Sequence, residues 1–324
     1  MKALAANEIY GNWATVLLPI NEDDSIDYAR LKEEIEVLTL SGVDGIYSNG
    51  TAGEFYAQSE QEFDRISEML ALACEARGVP FQIGACHVSP QLSLERIKRA
   101  VQWRPGAIQV ILADWFPLSD EEAVDCLKRM AEAARGIGLV LYNPPHAKRV
   151  LPPEMYARLI AAVPQIVGIK VADGDAEWYA AMRKYAKGIS IFVPGHHLAT
   201  GYTLGAHGAY SNVACIHPSA AQRWYEMMKE NPDRALELES RIRKFMSQYI
   251  APFITEHGYC NAACDKLLAA IGGWCDIGTR LRWPYRSIPA SEAERLRPIA
   301  REMLPEFFGI PALPGSGGNG PERT

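Results

Sequence analysis

The chain has 324 residues, of which 48% are hydrophobic and 22% charged, and it carries a formal net charge of −6. That is globular composition, and the lack of Lys/Arg blocks argues against nucleic acid or an anionic membrane as a partner. No apolar run reaches bilayer length, Met1 to Glu8 turns acidic too early for a secretory signal, and the seven cysteines are scattered, so the expectation is a cytoplasmic protein with reduced thiols.

In chain order, Trp13 to Ile20 reads as a strand, and Asn21 to Asp24 as a polar turn. Tyr28 to Leu40 has helical periodicity, with Leu31, Ile35, Val37 and Leu38 on one side and Gly42 as the stop. The alternation then repeats. Strands are expected at 43–47, 79–85, 107–113, 139–142, 166–171, 189–193 and 208–212. Helices are expected at 59–77, 89–103, 119–134, 152–163, 176–185, 198–204 and 218–229. These make about eight strand–helix units whose strands are too apolar to have a wet face, which fits a parallel sheet covered by helices. The fold class is therefore α/β, a (β/α)8 TIM barrel over residues 1–231, its active site at the C-terminal strand ends. The glycines do not make the phosphate-binding pattern of a doubly wound sheet. Residues 232–310 read as a helical extension with helices at 235–254, 261–271 and 291–307, and 311–324 as a loose Pro/Gly/Ser-rich tail.

The strand Ile166-Val167-Gly168-Ile169-Lys170-Val171 carries the oddity. Alternation puts Val167, Ile169 and Val171 on one face and Gly168 and Lys170 on the other. A lysine in an apolar strand either snorkels at the strand end or loses its proton and becomes a nucleophile. At the other strand ends, Gly50-Thr51-Ala52-Gly53-Glu54 is either a plain turn or a loop whose N–H groups hold a carboxylate. Tyr142, ahead of Asn143-Pro144-Pro145, is either a proton carrier or a core phenol. Gly195-His196-His197 follows the seventh strand, and Tyr210, Ser211 and Asn212 stand on the eighth.

Taken together, the Gly50–Glu54 loop, the Tyr142–Pro145 run and Gly168-Ile169-Lys170, in this order on these strands, resemble the dihydrodipicolinate synthase / N-acetylneuraminate lyase superfamily of class I, Schiff-base aldolases. The likeness runs from Trp13-Ala14-Thr15 to Leu281-Arg282-Trp283-Pro284. It implies that Lys170 attacks the keto carbon of a 2-keto acid such as pyruvate and that Tyr142 moves protons. Thr51, Ala52 and Gly50 would receive the carboxylate, Gly168 would leave room beside the lysine, and the Tyr210 backbone would line the pocket. The implied partner substrate is an aldehyde, no cofactor is needed, and a homo-oligomer, tetramer or dimer, is expected.

Departures from the family pattern bear on the substrate. Ala52 stands where the synthases have a second threonine. Ala113-Asp114-Trp115-Phe116-Pro117 holds no tyrosine where they have a pair, and His146 stands near their substrate-binding arginine. His196 and His197 occupy the place of the sialate lyases' acidic residues. Trp115, His146, His196 and His197 are accordingly expected to contact the aldehyde part of the substrate, with solvent-satisfied histidines and a subunit interface at Trp115 and Phe116 as the plainer alternatives. Three functions follow: a pyruvate lyase, a Schiff-base dehydratase or hydratase-aldolase on a keto sugar acid or unsaturated pyruvate derivative, and a silent keto-acid-binding regulator. Asp173 and Asp175 are expected to cap the helix after Lys170, His87 to be a loop residue, and His257, Cys260 and Cys264 to be too widely spaced for zinc, so no metal is expected.

Overall fold

Each strand is a short apolar run, and the helices between them begin where side chains replace missing helical partners. Ser59 and Ser119 open two helices by accepting the N–H of Glu62 and Glu122, whose carboxylates accept the serine N–H in return. Gly78 closes the first of these in the left-handed region at φ 68°. The computed structural model describes residues 1–309, so the expected tail at 311–324 lies outside the described residues.

Eight strands close in sequence order into one parallel barrel. They are β1 (Gly11–Thr15), β2 (Gly45–Ser48), β3 (Phe81–Gly84), β4 (Ala107–Val110), β5 (Gly138–Asn143), β6 (Ile166–Val171), β7 (Ser190–Pro194) and β8 (Gly208–Tyr210). The outer ring begins with α1 (Tyr28–Leu40), α2 (Glu60–Arg77), α3 (Pro90–Ala100) and α4 (Asp120–Ala133), and continues with α5 (Pro153–Ala162), α6 (Ala176–Tyr185) and α7 (Leu198–Leu204). A short α8 (Val213–Ile216) and α9 (Pro218–Glu230) complete it. Beyond the barrel, α10 (Pro232–Phe245) packs on α7 and α9, α11 (Ala251–Thr255) follows, and α12 (Asn261–Gly272) packs on α8 and on α13 (Ala290–Met303). Among the described residues, no helix is long and apolar enough to cross a membrane.

Two apolar layers hold the barrel. A large one lies between strands and helices, and a small one inside the barrel gathers Ile9, Trp13, Tyr47, Val140, Phe192 and Tyr210. This is the layered interior that the fold demands, a packed core rather than a pore.

The differences from expectation have local causes. The first strand stops at Thr15, because Val16 to Ile20 leaves the barrel while staying buried, and Ile20 pairs instead with Ile26. Apolar runs do not distinguish a strand from buried extended chain. The eighth strand ends at Tyr210, and Ser211 and Asn212 lead into α8. The expected 235–254 helix is broken by a π-turn at Met246–Ile250, where Pro252 has no amide hydrogen for the Gln248 carbonyl. The last helix ends at Met303, and Pro305 starts a separate 3-10 turn.

Strand β6 departs in a way that matters. Its register against β5 shifts between Leu139/Val140, so that Leu139 pairs with Ile166 and Val140 with Gly168. The extra residue is Val167, which packs against the inner cluster instead of sharing the outer face with Ile169 and Val171. Such bulges re-aim side chains near barrel rims. Past the bulge, Tyr142 pairs directly with Lys170.

Candidate active site

The C-terminal end of the barrel holds a cavity of roughly 520 Å³, lined by Lys170, Tyr142, Thr51, Ala52, Tyr210 and the two histidines His196 and His197 among others. Lys170 lies deep in it. Its Nζ sits 4.3 Å from the ring centre of Tyr142, 5.2 Å from that of Tyr47 and 5.3 Å from that of Tyr210. Aromatic faces favour an ammonium, but burial disfavours it more. Burial brings the Lys170 amine down to about 8, with the carboxylate of Asp265 pulling the other way.

Tyr142 presents its hydroxyl to Thr51. Burial raises the phenol to about 12, and the Thr51 hydroxyl beside it moderates that rise. Tyr210 donates its hydroxyl to Gln82 Oε1 at 2.6 Å, so it is a fixed wall. Gly168 shares the lysine's face, yet a Cβ there would meet Val140 at 3.4 Å and Ser190 at 3.5 Å, which are ordinary contacts. The barrel wall therefore tolerates a methyl at 168, and the room expected beside Lys170 is not closely fitted.

The Thr51 loop is held from behind. Glu54 adopts the left-handed region at φ 52°, unusual for a residue with a side chain. Its buried carboxylate pairs with the buried Lys266 of α12 at 2.5 Å and accepts the Arg282 N–H at 3.1 Å. Gly50 is buried beside Tyr47 but is not among the residues lining the cavity. Replacing Lys266 with methionine leaves Glu54 buried and unpaired, so Lys266→Met is expected to cost about 3–5 kcal/mol of stability. Urea unfolding measures this, and Glu54→Gln in the same chain should recover part of the loss. An unchanged midpoint for Lys266→Met would contradict the tie.

On the far side of the cavity, Gly195 lets the β7 end approach β8, since a Cβ there would fall 2.5 Å from Ser211 Oγ. The His196 backbone N–H donates to Asn212 Oδ1 at 3.2 Å. Burial, reinforced by the neighbouring His197, pushes His196 down to about 4. The neutral ring meets the Asn212 side-chain amide through Nδ1, with Nδ2 at 2.9 Å. His197 pairs through Nδ1 with Asp173. The histidines are thus held by protein groups rather than by solvent alone. Of the two expected helix caps, Asp175 does accept the Trp178 N–H at 2.8 Å at the start of α6, whereas Asp173 serves His197.

Trp115 and His146 do not join this cavity. They line a second one of roughly 320 Å³ that shares only Thr51 and Tyr142 with the first. Its two loops are clipped together by Lys148, whose N–H reaches Asp114 Oδ1 at 2.9 Å and whose Nζ reaches the Trp115 carbonyl at 2.8 Å. Trp115 and Phe116 are 72% and 79% exposed. His87 is a loop residue that accepts the Ser89 N–H. Among the described residues no group of three His, Cys, Asp or Glu side chains is placed to hold a metal, and Cys260 and Cys264 are free thiols.

Sequence reasoning passed over Tyr47, Arg243 and Asp265, which also line the main cavity. Asp265 had a usable signal, a charge inside the apolar helix Asn261–Gly272. Tyr47 had a weaker one, an aromatic at the penultimate position of β2. Arg243 had none, because its place depends on how α10 folds back over the barrel mouth.

The model of the "Dihydrodipicolinate synthetase family" matches residues 8–300. The chain belongs to the dihydrodipicolinate synthetase family. It is thereby a carbon–carbon lyase of the class I, Schiff-base aldolase kind. Among relatives of this family member, the N-acetylneuraminate lyase of Enterobacter sp. (strain 638) is 24% identical over 307 residues, covering 94% of this chain and 97% of that one. Among solved structures, YagE, a prophage protein of the dihydrodipicolinic acid synthase family from E. coli K12 in complex with pyruvate, superposes with a TM-score of 0.80 at 19% identity, covering 91% of this chain and 98% of that one. The Ruminococcus gnavus sialic acid aldolase gives 0.79 at 17% identity, covering 93% and 100%. At these identities the structural likeness shows the shared barrel.

Proposed function

We propose that this family member reversibly joins or splits pyruvate and a hydroxyl-bearing aldehyde through an imine on Lys170. The observation that carries the reading is the Lys170 amine lining the cavity, ringed by three tyrosines and brought down by desolvation to about 8. A lysine so placed holds an appreciable free-amine fraction near neutrality and attacks the keto carbon. The imine then withdraws electrons, so the bond between C3 and C4 breaks to leave an enamine, or forms from one. Tyr142 passes the proton to or from the aldehyde-derived oxygen. Thr51 and the backbone of Ala52 receive the pyruvate carboxylate. The N-acetylneuraminate lyases among the relatives and the pyruvate bound in YagE both support this assignment.

The rest of the cavity supports a hydroxyl-bearing partner. His196, Asn212 and Ser247 offer neutral polar groups, and Arg243 lines the same cavity. Ala52 adds no hydroxyl near the carboxylate end. Trp115 and Phe116, being largely exposed, are read as a subunit contact instead of an acceptor floor.

The test is a panel of keto sugar acids scored for pyruvate release, with condensation of pyruvate and the matching aldehydes as the reverse assay. Pyruvate release from at least one member supports the reading. Keto-acid dehydration with no pyruvate released would contradict it. In the active pair, His196→Ala is expected to raise the aldehyde KM about tenfold, the value of a hydrogen bond, while pyruvate still forms its adduct. An unchanged aldehyde KM would remove His196 from the acceptor site.

A further inference from the structure

Helix α12, Asn261–Gly272, is apolar apart from Asn261 and the doublet Asp265-Lys266. Consecutive helix positions point about 100° apart, and the two charges go to different places. Lys266 turns to Glu54 behind the Thr51 loop, and Asp265 turns into the main cavity. There it is the one carboxylate among the lining residues described. A structural aspartate so placed is normally met by an arginine or by backbone N–H groups. Among the described residues its carboxyl has no hydrogen bond, and the charge that pulls against its burial is that of Lys170.

We propose that Asp265 is the acid–base partner of Lys170. The inference rests on the Schiff-base reading above and adds a residue to it. Lys170 Nζ attacks the keto carbon, forming the C–N bond, and one amine proton passes to the former carbonyl oxygen to give the carbinolamine. The carboxylic acid form of Asp265 then protonates that hydroxyl, the C–O bond breaks, and water leaves. The iminium keeps the second amine proton, and the new Asp265 carboxylate is its counter-ion. Hydrolysis of the product imine runs the same steps backwards. The cavity supplies a proton where the barrel wall otherwise offers only phenols and thiols.

Proton affinities fit this use. Burial raises Asp265 to about 7, and Lys170 lies at about 8, so between those two values the pair shares a single proton. The other titratable groups facing the pair are Tyr47 of β2, Tyr142 of β5 and Tyr210 of β8, with Cys86, Cys215 and Cys264. Burial raises all six, which keeps them protonated through this range. His196, His197 and Arg243 also line the cavity, and burial keeps His196 neutral.

The productive state needs a free amine and a protonated acid, so it exists only while the pair holds a single proton. The rate of pyruvate trapping by cyanoborohydride in the full chain is therefore expected to be bell-shaped in pH, with its maximum between about 7 and 8. Asp265→Asn is expected to lose the alkaline limb and at least about tenfold of the maximum. Asp265→Glu should keep the alkaline limb. A wild-type rate that climbs with pH and never falls would overturn the proposal without any variant, as would an intact bell in Asp265→Asn. No adduct in the wild type at any pH would instead remove the Schiff-base reading itself.

Discussion

Lys170→Ala is expected to reduce turnover by about 10⁴-fold or more, the scale on which removal of a nucleophile is felt. The size of the effect follows from the surroundings. Lys266, next in sequence to the cavity-lining Asp265, is locked to Glu54 and donates to the Arg280 carbonyl at 2.5 Å. Lys148 is tied to the Trp115 carbonyl outside the main cavity. Neither can replace the lost amine, so no residual imine route remains. Lys170→Arg is expected to fail equally, because a guanidinium keeps its proton. Steady-state kcat on the active substrate pair measures both, and retention of a tenth of the wild-type rate would contradict the assignment.

Tyr142→Phe is expected to cost about 10²–10³-fold in kcat while leaving imine formation measurable. The phenol ring pairs across β5 and β6 with Lys170, and its hydroxyl meets Thr51. In the proposed mechanism, removing that oxygen leaves the electron sink in place and takes away the group that moves the proton of the aldehyde-derived oxygen. The two variants are therefore expected to separate two stages, with Lys170→Ala blocking the imine and Tyr142→Phe blocking the bond cleavage after it. Single-turnover trapping beside kcat distinguishes them. An unchanged kcat would take Tyr142 out of the mechanism.

Much of this was legible from the strands. The β-branched run at 166–171, the glycine loop at 50–54 and the Tyr-Asn-Pro-Pro run each mark a strand end, and eight apolar strands leave little choice but a closed parallel barrel. What the strands do not carry is the part of the site supplied from elsewhere. Asp265 and Arg243 come from helices outside the barrel, and their positions depend on how α10 and α12 pack over its mouth. The bulge at Val167 was hidden for a different reason. Alternation assumes an unbroken register, and one extra residue reverses it. Trp115 and His146 show the limit of reading loops by position alone. Both stand at the catalytic end of the barrel, yet the Lys148 clip turns their loops toward a separate cavity.

The central claim is that pyruvate becomes covalently joined to Lys170, and intact-mass measurement after borohydride reduction tests it most directly. Incubation with pyruvate followed by reduction should add one pyruvate-derived increment per chain, and peptide mapping should place it on Lys170. No added mass, or an increment carried by another lysine, would contradict the account.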